Sequence, residues 1–196
     1  MSENHKTRLK IFNEALILFS QRGYKNVTMR DIACAVGIKA GSIYSHFKSK
    51  SHLLGEMYDF FLEKQREIAP SLEKLLADAE TKPIREVFMS LDYHFSDAEE
   101  LMDRIVVVAC AESRTDELSG EFVRKTYTEL PKKYLGALLE KLIEIGRIEP
   151  MNVDNFLYIF SSVAFYTTMR LFTKYQPTVE QWLRVWETMF SMIKQK

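Results

Sequence analysis

Residues 28–50 read TMRDIACAVGIKAGSIYSHFKSK, and this stretch decides the fold of the chain. It predicts two short helices joined by a tight turn at Gly37, followed at once by the start of a third helix. Two helices joined in this way are typical of a helix-turn-helix, whose second helix enters the major groove of DNA.

Capping residues mark the ends of these helices. Thr28 and Asp31 form a T-x-x-D pattern, in which the hydroxyl accepts from a free amide and the carboxylate lies near the positive end of the helix. Gly37 ends the first helix, because glycine adopts a positive φ at little cost. We expect the second helix to cover residues 39–47, with Ile43 on its buried face. Ser49 is expected to cap the helix that follows.

The residues before this stretch predict one more helix. Apolar side chains recur at helical spacing from Arg8 to Arg22, and Gly23 ends that helix. The sequence therefore predicts a three-helix domain at residues 1–52 and a second domain at residues 53–196.

The formal charge is distributed unevenly along the chain. The net charge of the 196 residues is zero, yet residues 1–54 hold nine Lys and Arg against three Asp and Glu, and the remainder holds 18 against 24. A basic head on an acidic body favours a polyanionic partner for the head.

The composition sets further bounds. An apolar fraction of 46% is ample for a buried core, and the two cysteines, Cys34 and Cys110, form neither a disulfide framework nor a zinc-ribbon pattern. The basic N-terminal segment runs into an amphipathic helix and lacks the apolar region of a signal peptide. The longest apolar run, residues 105–111, is too short to span a bilayer. We expect a cytoplasmic protein without membrane contact.

Residues 53–196 predict further helices only. The run IVVVACA at residues 105–111 fits a strand or a helix by periodicity, and helix is preferred because a lone strand has no partner. Residues 117–145 predict a long helix that Pro131 should kink or split. Two apolar helices are expected at the C-terminal end, and the fold class is all-α.

A longer run of residues identifies a family resemblance. The pattern F-x-x-x-G-Y-x-x-V-T-M-R-D-I-A-x-x-V-G-I-x-x-G-S-I-Y-x-H-F-x-S-K-x-x-L, from Phe19 to Leu53, resembles the DNA-binding domain of TetR-type transcriptional regulators. The resemblance implies about nine helices: an N-terminal helix-turn-helix domain and a C-terminal helical domain for ligand binding and dimerisation. It also implies a homodimeric repressor that binds a palindromic operator and is released by a small molecule. Lys39 departs from the pattern, since a Ser or Thr commonly caps the second helix there.

The resemblance assigns a set of DNA-contacting residues. Phosphate contacts are expected from Tyr44, His46, Lys50 and Thr28, and base contacts from the start of the second helix. Tyr44 has the alternative of closing the small core, and His46 that of an ordinary exposed histidine. The expected DNA-binding residues are Thr28, Arg30, Lys39, Ala40, Ser42, Tyr44, His46 and Lys50.

The resemblance also places a ligand cavity among helices of the second domain. Methionine and aromatic side chains favour a lipophilic or aromatic guest over a sugar or nucleotide. For any single residue, a place in the core is the competing interpretation. The candidates are Phe61, Met89, Tyr93, Met102, Val106, Cys110, Tyr127, Tyr134, Phe165 and Tyr166.

Dimerisation is expected through the last two helices, because a helix-turn-helix usually reads two half-sites as a pair. The alternative is that their apolar faces fill the monomer core. The candidates are Phe160, Met169, Trp182, Trp186, Met189 and Phe190.

Other classes of function find little support in the sequence. The four histidines lack metal-ligand spacing, and no catalytic constellation or phosphate-binding glycine loop is present, so neither a metal, a cofactor nor an enzyme activity is expected. The competing function is a DNA-associated interaction protein, whose helical body binds a protein partner without small-molecule control.

Overall fold

The regular elements of the residues that the structure describes are helices, with one isolated bridge between Ile148 and Gln195. The computed structural model covers residues 2–91, 99–173 and 179–196, with the backbone alone at positions 99, 167–173, 179 and 182. The helices are α1 (Glu3–Arg22), α2 (Met29–Val36), α3 (Lys50–Ile68), α4 (Leu72–Thr81), α5 (Ile84–Met89), α6 (Glu99–Glu112), α7 (Glu117–Arg124), α8 (Ala137–Glu144), α9 (Val153–Thr173) and α10 (Val179–Ser191). The predicted all-α fold is confirmed, and the run at residues 105–111 lies in α6. None of the helices within these ranges has the length and apolar character that crossing a membrane requires.

The chain divides into two compact units. Unit 1 comprises Met1–Lys64 and Phe95–Val123, and unit 2 comprises Gln65–His94 and Arg124–Lys196. Helix α6 therefore packs with the N-terminal helices, mainly along α1. The sequence predicted that the DNA-binding domain ends at residue 52 and that the second domain begins at residue 53. That functional boundary stays a prediction.

Unit 1 has an apolar core of its own. Side chains at helical spacing on α1 pack on α2 and α6, as residues three and four apart share one face of a helix. Arg104 of α6 donates to Ser20 Oγ of α1 at 3.0 Å. The fully buried residues of this core include Ile11, Ala15, Leu16, Phe19, Ile32, Ile43, Phe47, Leu53, Leu54, Met57 and Ile105.

Unit 2 is centred on the ring of Phe88. The centroid of that ring lies 5.1 Å from the Trp186 ring, 5.5 Å from Phe190 and 6.5 Å from Phe156. The edge-on geometry at Trp186 and Phe156 suits the quadrupoles of aromatic rings. These contacts bring α5, α9 and α10 into one core.

The sequence predicted a kink or a split at Pro131, and the helical backbone continues through this residue without a split. Wide turns of π type flank the proline, at Lys125–Glu129 and Lys132–Gly136. In the first of them the amide of Leu130 donates to the carbonyl of Lys125, five residues back. Proline has no N–H to donate to the preceding turn, and wider turns accommodate this loss while the chain stays helical.

Candidate nucleic-acid interface

The first helix of the motif is fixed at both ends by its predicted caps. At the start of α2 the Asp31 amide donates to Thr28 Oγ1 at 3.2 Å, and the Thr28 amide donates to Asp31 Oδ2 at 2.8 Å. At its end Gly37 has a φ of 80°, and the amides of Gly37 and Ile38 both donate to the Ala33 carbonyl at 3.0 Å. The Lys10 ammonium donates to a further carbonyl at this end, that of Val36, at 2.8 Å. The capping residues and the glycine stop predicted from the sequence are confirmed.

The second helix is shorter than the sequence suggested. Only Ser42–Ser45 forms a regular helix, and its hydrogen bonds follow the tighter 3₁₀ pattern. The Ser42 amide donates to the Lys39 carbonyl at 2.9 Å, three residues back, so the chain turns here before any helix begins. Lysine offers no acceptor to cap the free amides, and Gly41 is a poor helix former, which together account for the late start. Residues 39–47 are therefore a turn followed by one short helix.

Most of the expected DNA contacts lie on the exposed side of this segment. Ile43 and Phe47 are 0% and 1% exposed, which leaves the intervening side chains to face outward. Tyr44 is 56% exposed, so its ring does not close the small core. His46 is half-buried. The exposed members of the predicted set are Thr28, Arg30, Lys39, Ala40, Ser42 and Tyr44.

An arginine that the sequence did not single out holds the end of this segment. The Arg8 guanidinium of α1 donates to the His46 carbonyl and to both carboxylate oxygens of Glu56 in α3. Its central carbon also lies 4.2 Å from the centroid of the Phe47 ring. Arg8 thereby ties α1, the short helix and α3 together, and only the three-dimensional contacts reveal this role.

Lys50, for which a phosphate contact is predicted, makes contacts within unit 1. Its ammonium donates to the carbonyls of Tyr24 and Val27 at 2.7 and 2.8 Å, and it lies 4.2 Å from the centroid of the Tyr24 ring. Burial lowers the pKa of Lys50, and the Glu112 carboxylate offsets part of that effect. An ammonium has three N–H donors, so the two carbonyls leave one for any other acceptor. In this structure Lys50 anchors the loop between α1 and α2.

The sequence contains no Asp or Glu from residue 32 to residue 55, so the exposed face formed by this stretch carries no carboxylate. Two carboxylates border this stretch, and both are bound: the Thr28 hydroxyl donates to Asp31 at 2.5 Å, and Arg8 donates to Glu56. Hydrogen bonds from the Thr28 hydroxyl and amide keep the pKa of Asp31 below its ordinary value. A rigid, exposed face with lysines and hydroxyls and without acids suits a surface that meets phosphates.

Helices α3 and α7 are joined by a buried hydrogen bond within unit 1. Tyr58 Oη lies 2.7 Å from Ser119 Oγ, and Ser119 Oγ donates to Asp116 Oδ2 at 2.7 Å. The Tyr58 ring stacks on Phe122 with centroids 4.5 Å apart. The sequence gave no signal for this link, because an isolated serine and tyrosine do not reveal their partners.

The predicted ligand residues divide between the two units. Those in unit 1 are buried or half-buried, and burial raises the pKa of the Cys110 thiol to about 11. In unit 2 the Tyr127 and Phe165 rings lie 5.5 Å apart, whereas Tyr166 is 74% exposed. Tyr93 lies outside the described residues. Unit 1 holds Phe61, Met102, Val106 and Cys110, and unit 2 holds Met89, Tyr127, Tyr134, Phe165 and Tyr166.

The predicted dimer residues lie mostly in the core of unit 2, which was the alternative. Trp186 and Met189 are 3% and 5% exposed, and Phe160 and Phe190 pack against the same core. These side chains are buried in one copy of the chain, and their part in a dimer interface stays a prediction. The side chains of Met169 and Trp182 lie outside the described residues. The apolar side chains left exposed on α9 and α10 are Tyr158, Ile159, Phe165, Tyr166 and Leu183.

Comparison with known sequences places the motif in a family. Residues 11–57 match the profile of the family described as bacterial regulatory proteins, tetR family. The chain is 28% identical over 155 residues to the transcriptional repressor KstR2 of Mycolicibacterium smegmatis, covering 78% of this chain and 73% of that protein. It is 43% identical over 68 residues to KstR2 of Rhodococcus jostii, a match that spans only 33% of either chain.

Solved structures extend the likeness in fold to the whole chain. The ketosteroid transcriptional regulator KstR2 of Mycobacterium tuberculosis superposes with a TM-score of 0.63 at 21% identity, covering 96% of this chain and 95% of that one. SmeT, the repressor of a Stenotrophomonas maltophilia multidrug efflux pump, superposes with a TM-score of 0.70 at 15% identity, covering 100% and 94%. These relatives are transcriptional regulators and not enzymes. With the capped helix-turn-helix and its acid-free face, the match at residues 11–57 shows a DNA-binding domain of the tetR family, in a chain that is similar to DNA-binding transcriptional regulators along most of its length.

Proposed function

We propose that the protein is a homodimeric repressor that binds a palindromic operator and leaves it when a small lipophilic or aromatic molecule binds. The observation that carries the proposal is the exposed, acid-free face formed by the segment after Gly37. The two caps of α2 and the Arg8 anchor hold this face rigidly. A rigid face aligns its contacts before DNA arrives, which lowers the entropic cost of binding.

The residues of the face take different parts in DNA binding. Lys39 stands at the exposed start of the segment and is positioned to reach a guanine edge or a phosphate. Ala40 and Ser42 are small and exposed, which permits close approach to the base pairs. Tyr44 offers its hydroxyl to a backbone phosphate, and Thr28 and Arg30 flank it at the start of α2. Phosphate contacts fix the position of the protein, while base contacts select the sequence.

Dimerisation is assigned to the exposed side of α9. Tyr158, Ser162 and Tyr166 are four residues apart, and Ile159 and Phe165 lie beside them, so the exposed apolar side chains form one stripe. A stripe on one helix is self-complementary around a two-fold axis, as the interface of a symmetric dimer requires. Residues 39–47 are called the recognition segment. Two copies of the chain would present two recognition segments to half-sites about one turn of DNA apart.

The dimer is tested by measuring molar mass in solution by light scattering. The wild-type protein is expected to run as a dimer, and Ile159→Glu is expected to run as a monomer, because it buries a charge in the proposed interface. The matched control is Leu9→Glu, which places the same charge on an exposed leucine of α1. A wild-type monomer, or a dimer that survives Ile159→Glu, would reject this interface.

Ligand control is proposed on the family's pattern and on the apolar character of the body. The similar proteins include a ketosteroid transcriptional regulator, the repressor of a multidrug efflux pump and a regulator in complex with choline. This variety favours a body that adapts its interior to a guest, and the methionine and aromatic content here favours an apolar one. A guest that binds one conformation more tightly shifts the population away from the form that fits the operator. Such regulators act on DNA in the cytoplasm, where we place this protein.

The operator is tested by recovering and sequencing the genomic fragments that the purified protein retains at physiological salt. Fragments that share a palindrome are expected. Tyr44→Phe should then weaken binding to all of them similarly, while Thr188→Val, which removes an exposed hydroxyl of α10, should leave binding unchanged. Broad, salt-sensitive retention without a shared site would instead favour a DNA-associated interaction protein.

A further inference from the structure

Two polar side-chain atoms are buried in unit 2 without a hydrogen-bond partner. Within the described part of the chain, Gln65 Oε1 and Thr126 Oγ1 are shielded from solvent, and neither is hydrogen-bonded. An unpaired polar group costs a folded protein about 1–3 kcal/mol, and native structures keep few of them. Such atoms therefore indicate a place where another molecule completes the bonding.

The contacts of α3 with α7 in unit 1 establish how these two helices align. Tyr58 of α3 bonds to Ser119 of α7, and Phe61 of α3 meets Phe122 of α7 edge-on with ring centroids 5.1 Å apart. In both pairs, Tyr58 with Ser119 and Phe61 with Phe122, the residue of α7 follows the residue of α3 by the same number of positions along the chain. The two helices therefore run in the same direction and in register.

The same interval separates Gln65 from Thr126. Gln65 follows Phe61 by four residues in α3, and Thr126 follows Phe122 by four on the helical segment that continues α7. Residues four apart share a helix face, so the register places Gln65 and Thr126 opposite one another. Both belong to unit 2. Two unpaired polar atoms on facing helices thus form a pair of anchors.

The neighbourhood of Thr126 suits an apolar guest. Thr126 lies within the π-type turn Lys125–Glu129, and such turns often occur at functional sites. The next residue, Tyr127, meets the ring of Phe165 at 5.5 Å between centroids, nearly perpendicular at 88°. A neutral polar pair beside aromatic rings is typical of pockets that hold a mostly apolar molecule by a few placed hydrogen bonds.

We propose that Gln65 and Thr126 bind a hydroxyl group of the effector, which is a neutral, mostly apolar alcohol or phenol. A hydroxyl both donates and accepts, so it can satisfy the Gln65 carbonyl oxygen and the Thr126 hydroxyl together. Neither anchor carries a charge that would offset the cost of burying a carboxylate or an ammonium of the guest. This inference rests on the proposed ligand control, and it adds the chemical class of the ligand.

The first test needs no ligand. Thr126→Val and Gln65→Met keep the shape of each side chain and remove the unpaired atom, so the melting temperature of the free protein is expected to rise. The control is Tyr58→Phe, which removes a hydroxyl that has a partner and should lower the melting temperature. If Thr126→Val and Gln65→Met lower it as Tyr58→Phe does, both atoms are paired in solution and the proposal is overturned.

The second test measures binding of two probes that differ by one hydroxyl, 4-hexylphenol and hexylbenzene, by calorimetry and by release of operator DNA. The wild-type protein is expected to bind the phenol about tenfold more tightly, and the double variant Gln65→Met with Thr126→Val should lose that preference. Equal binding of both probes, or a preference that survives in the double variant, overturns the anchors while ligand control stands. If the protein keeps its operator and binds neither probe, control by such ligands fails and the anchors fail with it.

Discussion

Replacement of Lys50 by methionine separates two roles that the sequence alone does not distinguish. In the structure the Lys50 ammonium holds the carbonyls of Tyr24 and Val27 and covers the Tyr24 ring. Lys50→Met keeps the apolar stem and removes the charge and the donors. If Lys50 is an anchor of the loop before α2, the variant loses stability. If it is a phosphate contact, the variant loses salt-dependent affinity.

The size of the effect follows from the contacts. A hydrogen bond from a charged donor contributes about 1.5–3 kcal/mol, and partial exposure puts these two at or below the lower end. With the ring contact, the expected loss is about 2–3 kcal/mol. For a chain of this size each kcal/mol lowers the melting temperature by about 2–4 °C. Lys50→Met should therefore melt about 5–10 °C below the wild-type protein.

The assay combines thermal denaturation with operator binding across a range of salt concentrations. The matched control is Lys48→Met, which removes the same charge from an exposed lysine and should leave the melting temperature unchanged. Both variants lose one charge, so their salt dependences should agree. Two results together would refute the anchor and favour the phosphate contact. The Lys50→Met protein would melt like wild type, and the slope of its log binding constant against log salt concentration would fall by about 0.9 per protomer relative to the control.

Three further predictions follow from other contacts. Tyr58→Phe removes the hydroxyl bonded to the buried Ser119 and should cost about 1 kcal/mol in a denaturant titration; an unchanged midpoint would mean that the bond contributes nothing. Lys39→Ala should reduce affinity for the operator more than for mutated operators, as measured by competition binding, and equal losses would assign it to phosphate alone. Because the cap holds the pKa of Asp31 below its ordinary value of 3.8, the stability it contributes is present above pH 3.8 and is lost as pH falls below that value. Asp31→Asn should remove this part of the acid dependence of melting, and a pH profile that matches wild type would show that the cap with Thr28 does not carry it.

The sequence predicted the parts of the fold that depend on local chemistry. Thr28, Asp31 and Gly37 carry their roles within a few residues of one another, so capping rules identified the limits of α2. The run at residues 105–111 needed one tertiary argument, that a lone strand has no partner, and it does lie in α6. Periodicity and caps act locally, and a sequence displays them in full.

Features that depend on distant partners were not predictable in this way. Arg8 and Glu56 are far apart in sequence, and nothing in either residue indicates that they meet below the recognition segment. Apolar spacing marks a buried face and does not say whether the same chain or a second copy covers it. Trp186 was therefore predicted at the interface, with the monomer core as the alternative, and it is buried in the core of unit 2. The lack of a cap at Lys39 was visible in the sequence, but its consequence, a late and short helix, required the backbone.

The π-type turns beside Pro131 bear on how this chain can change in length over evolution. A π turn holds about one residue more than an α turn, so each of the segments Lys125–Glu129 and Lys132–Gly136 behaves as a helix that has already absorbed an extra residue. Deleting one residue there would return the turn to α geometry without breaking the helix. The helix beyond it would keep its orientation, because the wide turn has already taken up the extra residue. Related proteins are thus expected to differ by single insertions or deletions near Pro131, which change the side chains of the turn itself and leave the rest of the helix in place.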